Sequence, residues 1–137
     1  MTTVQTAFAE AAEALEGCPF RLHGRDHEYG LDCVGVVLCA LQDAGLIAPP
    51  TTAYALRNSS IVRFIPLFER AGFVFVKDAI TTGDLLVARP GPAQYHCVIA
   101  LTQARFIHAH AGIGRVVIQN GPLGWPVVQH WRLDPAF

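Results

Sequence analysis

The pattern of apolar residues along the chain changes from a helical to an alternating one at about Gly72. Residues 3–16 carry apolar side chains at spacings of three and four with glutamates between them, which predicts an amphipathic helix. Residues 32–44 are apolar nearly all round and predict a helix enclosed on most sides. A weaker helical pattern covers residues 59–70 and is interrupted at Pro66. The first half of the chain is therefore predicted to be helical.

Beyond Gly72, apolar and polar residues alternate in short runs separated by Gly, Pro and Thr turns, a pattern typical of β-strands. We expect these strands to form an antiparallel meander. Helices followed by strands indicate an α+β fold, with N-terminal helices packed on one face of a roughly six-stranded antiparallel sheet. The predicted strands cover residues 73–77, 84–88, 95–101, 105–110, 115–119 and 127–133.

Length and composition bound what the chain can be. Its 137 residues are 52% hydrophobic, which predicts one domain over residues 1–137 with a substantial core. The formal net charge is −1 and Lys and Arg are not clustered, so a nucleic-acid partner is not expected. The longest apolar run, residues 34–41, is too short to cross a bilayer, and residues 1–17 lack the basic start of a secretory signal. We therefore expect cytoplasmic synthesis without a signal peptide and no membrane partner.

Cysteine usage points to a free thiol. The chain has four cysteines and no C-x-x-C pair, so neither a structural zinc site nor a disulfide framework is expected, and no cofactor is implied. Cys33 follows Asp32, a residue suited to cap a helix, and precedes the long apolar run. A thiol in the first turn of a helix is favoured as thiolate by the helix dipole and can act as a nucleophile, although most unpaired cysteines are simply packed in a core.

Histidines occur in two of the predicted strands. His96 begins one strand, and the next contains His108 and His110, which point to the same face because they lie two residues apart. A nucleophilic cysteine needs a base and a third group that orients the base, and these strands supply candidates for both. The same residues permit a different site, in which His108 and His110 share a zinc ion completed by His96.

The order of Cys33, His96 and His108 resembles that of the NlpC/P60 family of papain-like cysteine peptidases. The family's cysteine opens a helix in a D-C-x-G context, its first histidine begins a strand of the type H-V-G-I-Y-L, and its third polar residue follows in an F-I-H-A strand. The resemblance covers most of the chain and includes Gly17-Cys18-Pro19-Phe20 (compare G-T-P-Y), Asp32-Cys33-Val34-Gly35, Gly83-Asp84-Leu85-Leu86-Val87 (compare G-D-L-V-F), the strand from His96, and Phe106-Ile107-His108-Ala109.

The resemblance implies a papain-like fold with the nucleophile at the N-terminus of the central helix. It makes Cys33 the nucleophile, His96 the general base and His108 the orienting residue, and the F-I-H-A match selects His108 over His110. It also implies a substrate-binding surface around the nucleophile and the loop of residues 18–30. The expected substrate-binding residues are Phe20, Arg21, Arg25, Asp32 and His110.

The implied activity is hydrolysis of a peptide bond in the stem peptide of bacterial peptidoglycan, commonly the bond between D-glutamate and a diamino acid. A stand-alone domain of this kind most resembles the cell-wall peptidases of phages and gene-transfer agents, which implies phage-like tail proteins as partners and a tail-associated location acting on the wall. Two alternatives stay open. One is an inactive structural component of a phage-like tail, and the other is an acyltransferase on the same scaffold.

The chain departs from the family pattern near the expected substrate. The usual serine after the cysteine is Val34, the usual tyrosine of the first motif is Phe20, and the first of two paired glycines is His23. These changes leave the three catalytic positions intact and affect the details of substrate binding.

Overall fold

A computed structural model describes residues 2–49 and 64–136 of the chain. Within these residues the chain forms three helices and eight strands. The helix predicted at residues 59–70 is described from Phe64 onward, and its first five residues lie outside the described part. The elements are α1 (Thr3–Glu13), β1 (Arg25–Asp26), β2 (Gly30–Leu31), α2 (Cys33–Asp43), α3 (Phe64–Arg70), β3 (Phe73–Phe75), β4 (Leu85–Gly91), β5 (Gln94–Thr102), β6 (Arg105–His110), β7 (Arg115–Asn120) and β8 (Val127–Leu133).

Helix α1 is fixed at its start by a reciprocal cap and along its length by its apolar face. The Thr2 hydroxyl accepts a hydrogen bond from the Gln5 backbone N–H at 3.3 Å, and the Thr2 backbone N–H donates to the Gln5 side chain at 3.0 Å. Phe8 and Ala12 are fully buried, as the spacing of apolar residues predicts. The helix ends three residues earlier than predicted, and the chain then turns through Gly17, whose φ of 88° suits glycine.

The six longer strands form one antiparallel sheet in the order β3-β8-β4-β5-β6-β7. The fold class is confirmed, but the meander is wrong in one respect, because β8 inserts between β3 and β4. Trp131 of β8 pairs with both neighbours in this position, opposite Phe75 and Leu85. Its side chain is fully buried, with Phe68 at 5.5 Å and Phe75 stacked at 3.9 Å between ring centroids. A central place in the sheet lets this strand bury its tryptophan.

Both faces of the sheet are covered, and they are covered differently. Helices α1 and α2 pack on one face and form the main core with side chains such as Val87 and Ile99. The opposite face carries a smaller apolar cluster, with Leu123 and Trp125 from the segment before β8 lying against it. No described helix has the length and apolar character needed to span a membrane. The members of the smaller cluster are Leu86, Ala88, Val98, Ala100, Phe106 and Leu123, with Ile80 and Trp125 packed beside them.

A buried ionic network ties β4 to β8. Asp84 is fully buried and accepts hydrogen bonds from His130 at 2.6 Å and from Arg132 at 2.8 Å. Burial alone would raise the pKa of Asp84, but the hydrogen bonds from Arg132, the Thr81 backbone and His130 hold it below its usual value. His130 therefore has a structural partner, and the Asp84 carboxylate stays ionised within the sheet.

Candidate active site

Cys33 is the first residue of α2, where the helix dipole is most positive. The helix begins here because Asp32 caps it, its side chain accepting a hydrogen bond from the Gly35 backbone N–H at 2.8 Å. Cys33 is buried, with 1% of its surface exposed. The predicted helix at residues 32–44 is thus observed with Asp32 and Ala44 as its two caps.

The segment before α2 holds the first turn of the helix in place. Asp32 also accepts hydrogen bonds from the His23 backbone N–H at 2.8 Å and from the Arg25 guanidinium at 2.9 Å. A side chain on Gly35 would lie 2.2 Å from the carbonyl oxygen of Gly24, so a glycine is required where loop and helix meet. This segment was expected to be a loop throughout, but β1 and β2 pair as a short antiparallel hairpin within it. Two-residue strands are too short to show an alternating pattern.

His96 and His108 lie on neighbouring strands and contact each other directly. The His96 Nε2 and His108 Nδ1 atoms are 2.9 Å apart, and the two rings are nearly perpendicular at 89°. His108 is 1% exposed. Burial, reinforced by the nearby His96, lowers the pKa of His108 to about 4. His108 is therefore neutral at ordinary pH and can accept a hydrogen bond from His96.

The thiol of Cys33 meets two residues of β5. Cys97 pairs with Val87 and belongs to the main core, and the preceding residue, His96, pairs with Ala88. A hydrogen bond with the Cys97 side chain, and then a hydrogen bond and charge interaction with His96, lower the pKa of Cys33 to about 5 against the opposing effect of burial. Because His96 Nε2 is engaged by His108, Nδ1 is the atom left to face the thiol.

The other cysteines are in a different electrostatic state. Burial and Asp43 raise the pKa of Cys39 to about 12, and the same two causes raise the pKa of Cys18. The hydrogen bond with Cys33 and burial raise the pKa of Cys97 well above its usual value. Cys33 is thus the one of the four, all within the described residues, whose pKa is lowered.

Two further residues adjoin the histidines and were not found from the sequence. The Trp125 ring lies 5.4 Å from both the His96 and the His108 ring, measured between centroids. Gln119 of β7 places its side-chain oxygen 3.4 Å from His108 Nε2. Neither residue lies in a motif. The only signal for Trp125 was an aromatic residue between Gly124 and a proline in a predicted turn.

His110 lies beside His108, two residues further along β6. Its ring is 5.9 Å from that of His108, and its Nδ1 accepts a hydrogen bond from the Ile113 backbone N–H at 3.1 Å. Within residues 2–49 and 64–136, no group of three His, Cys, Asp or Glu side chains is arranged to hold a metal ion. Of the two candidates on β6, His108 is therefore the one in contact with His96.

The expected substrate-binding residues occupy different depths. Arg21 is exposed, Phe20 is half-buried against the main core, and Arg25 is held by Asp32 and by the Gly24 carbonyl. Asp32 itself is fully buried, which places it out of direct reach of a substrate in this conformation. Its observed contacts position the loop and the helix.

Comparison with solved structures shows the same fold in several proteins. NlpC2 from Trichomonas vaginalis is 18% identical with a TM-score of 0.70, over 96% of this chain and 48% of that one. An NLP/P60 family protein similar to lipoprotein, from Staphylococcus aureus, is 18% identical with a TM-score of 0.65, over 97% and 42%. The NlpC/p60 domain of the peptidoglycan hydrolase SagA is 24% identical with a TM-score of 0.57, over 85% and 88%. The chain spans less than half the length of the first two.

Comparisons of sequence give one partial and one extensive match. The ribosomal large subunit pseudouridine synthase D of Haemophilus ducreyi is 28% identical over 102 residues, covering 58% of this chain and 31% of that protein, which is too little to assign a family. The NlpC/P60 family matches residues 17–131, a range that contains Cys33, His96 and His108. This match extends over most of the chain and agrees with the fold. The chain belongs to the NlpC/P60 family, whose members are generally peptidoglycan hydrolases.

Proposed function

We propose that the chain is a cysteine peptidase that hydrolyses a peptide bond in the stem peptide of peptidoglycan, with Cys33 as nucleophile, His96 as general base and acid, and His108 as the residue that orients His96. One observation carries the proposal. The buried thiol at the N-terminus of α2 has a lowered pKa and contacts a histidine whose other ring nitrogen is 2.9 Å from a second histidine. A nucleophile, a base and an orienting group are the parts that acyl transfer from a peptide requires.

The chemistry divides into two steps. In the first, the Cys33 thiolate attacks the carbonyl carbon, the His96 imidazolium donates its Nδ1 proton to the leaving amine, and an acyl-enzyme forms. In the second, neutral His96 takes a proton from water, the resulting hydroxide attacks the thioester, and the acid product leaves with Cys33 restored. The Cys33 backbone N–H, in the first turn of α2, is suited to stabilise the oxyanion in both steps.

The charges of the segment that precedes the nucleophile suit a stem peptide. Arg21, Asp26 and Glu28 are exposed in the segment immediately before the nucleophile. Stem peptides carry free carboxylates and often a free amine, and arginine is well suited to hold a carboxylate in a fixed orientation. The bond between D-glutamate and the diamino acid is the one we propose is cleaved. The similarity to the domain of a peptidoglycan hydrolase supports this substrate class.

Digestion of two substrates tests the proposal. Purified wild-type protein, Cys33→Ala and Cys39→Ala are each incubated with peptidoglycan muropeptides and with casein, and the products are followed by mass spectrometry. Cys39 is a matched control because it lies on the same helix and is buried. We expect wild type and Cys39→Ala to cleave muropeptides and leave casein nearly intact, and Cys33→Ala to cleave neither.

Other outcomes would contradict the proposal. Cleavage of casein with intact muropeptides would indicate a general protease. No cleavage by a folded wild type would favour a structural component of a phage-like tail. Transfer of the acyl group to an added amine, with no hydrolysis, would indicate an acyltransferase.

A further inference from the structure

The hydrogen bonds that run through the two histidines continue to a glutamine on the next strand. Gln119 of β7 lies diagonally across from His108, whose direct partner in the register is Val117. Its side-chain oxygen is 3.4 Å from His108 Nε2. Its side-chain nitrogen donates to the backbone carbonyl of Leu123 at 2.9 Å and to that of Pro122 at 3.4 Å. All the polar atoms of this amide are thus engaged.

The two carbonyl contacts decide which way the amide points. Turning the Gln119 amide over would place its oxygen against the oxygens of Leu123 and Pro122, where no hydrogen is available, and would lose both hydrogen bonds. The amide oxygen is therefore held toward His108. Backbone carbonyl oxygens can only accept hydrogen bonds, so they fix the donor and acceptor ends of the Gln119 amide.

An oxygen facing His108 Nε2 requires a proton on that nitrogen. His108 is neutral at ordinary pH and carries one ring proton. With that proton on Nε2, Nδ1 is an acceptor, and the contact of 2.9 Å then requires His96 Nε2 to donate. Neutral His96 in turn has a free lone pair on Nδ1, the ring nitrogen that His108 does not engage and that is therefore available to Cys33.

We propose that Gln119 is a positioning residue that sets the tautomer of His108, and through it the direction in which His96 can exchange a proton with Cys33. The inference rests on the proposed function for the role of His96. If His108 instead carried its proton on Nδ1, it would donate to His96 Nε2, and neutral His96 would then hold its proton on Nδ1 and could not accept one from the thiol.

Few other groups lie close enough to His108 to determine which ring nitrogen carries its proton. The titratable groups facing it are His96 at 4.9 Å and His110 at 5.9 Å, measured between ring centroids. His110 Nδ1 is used by the Ile113 backbone N–H. The Trp125 ring lies 5.4 Å from the His108 ring, and the Ala109 backbone also makes a hydrogen bond that acts on His108. Gln119 is the group whose acceptor lies at Nε2.

Nuclear magnetic resonance of the histidine rings tests the tautomer without reference to any substrate. Protein labelled with nitrogen-15 is studied at pH 7, and the His108 signals are assigned by their loss in His108→Asn. We expect wild-type His108 to be protonated on Nε2. Gln119→Met, which has a similar length but no amide, should increase the fraction protonated on Nδ1, and Gln119→Glu, which keeps an acceptor, should retain the Nε2 form.

The pH dependence of Cys33 alkylation gives a second readout. In Gln119→Met the His96 imidazolium loses a well-oriented acceptor, so the midpoint of alkylation should rise by about one unit. Gln103→Met is the matched control, since Gln103 is exposed in the turn between β5 and β6, and it should match wild type.

Two results would overturn the inference: wild-type His108 protonated on Nδ1, or a Gln119→Met protein that matches wild type in both tautomer and midpoint. Failure of the proposed function is distinguishable from either. The expected tautomer and midpoint shift in a protein that cleaves no muropeptide would support the positioning role and contradict the peptidase.

Discussion

Replacing Asp32 by asparagine tests how the nucleophile is held at the head of α2. The Asp32 carboxylate accepts hydrogen bonds from the backbone N–H groups of Gly35 and His23 and from the Arg25 guanidinium, each between 2.8 and 2.9 Å. Asparagine caps helices as well as aspartate does, so the bond from Gly35 should survive. The amide nitrogen of asparagine cannot accept, and the negative charge is lost.

The expected loss in the free energy of unfolding follows from these contacts. Losing the charge on the bond to Arg25, whose side chain is 28% exposed, and leaving the His23 N–H without its acceptor should cost about 2 to 3 kcal/mol in the free energy of unfolding. Asp32→Ala also removes the cap and should cost about 3 to 5 kcal/mol. Asp26→Asn is the matched control, because Asp26 lies in the same segment, is exposed, and should change stability by less than about 0.5 kcal/mol.

Urea denaturation followed by circular dichroism measures these differences. With a slope of about 1 to 1.5 kcal/mol per molar urea, Asp32→Asn should lower the midpoint by about 1.3 to 3 M, provided the slope is unchanged. A midpoint equal to that of wild type, or an equal loss in Asp26→Asn, would refute the view that this buried carboxylate fixes the loop against the helix.

Three other predictions follow from the site and the sheet. Iodoacetamide should label Cys33 much faster than the other three cysteines at neutral pH. The pKa of Cys33 is lowered to about 5 and the thiolate forms as the pH rises through that value, so the labelling rate should reach half its maximum near pH 5. Equal labelling of all four cysteines would contradict this prediction. His96→Ala should remove nearly all muropeptide cleavage, His108→Ala should reduce the cleavage rate less, and His110→Ala should reduce it least. An inactive His110 variant beside an active His108 variant would make His110 the orienting residue instead of His108. Asp84→Asn should lower the free energy of unfolding by about 3 kcal/mol in the same denaturation assay, and a change below about 0.5 kcal/mol would mean that the network does not stabilise the sheet.

The elements themselves were predictable because each has a strong local pattern. The strand β6 was expected at residues 105–110 and is found there, and the apolar run after Asp32 is a buried helix. The order of strands was not predictable, since alternation shows that β8 faces a core without showing which strands flank it. Burial of Trp131 decides that question, and it depends on contacts with Phe68 and Phe75, far away in sequence.

Some residues of the candidate site were predictable from the sequence and others were not. Cys33, His96 and His108 lie in recognisable motifs, and the structure brings these three residues together. Gln119 and Cys97 carry no such signal, because their importance comes from an atom placed beside another residue in space. The sequence pattern predicts that Cys97 is a core residue, yet its side chain forms a hydrogen bond with the Cys33 thiol.

Detection of an acyl-enzyme is the direct test of Cys33 as the nucleophile. Wild-type protein is mixed with muropeptides, quenched in acid during turnover, and digested, and the peptide that contains both Cys33 and Cys39 is sequenced by mass spectrometry. We predict an adduct on Cys33 whose mass equals the acyl half of the cleaved stem peptide, and no such adduct in His96→Ala. Cleavage of muropeptides with Cys33 unmodified, and undiminished in Cys33→Ala, would contradict it.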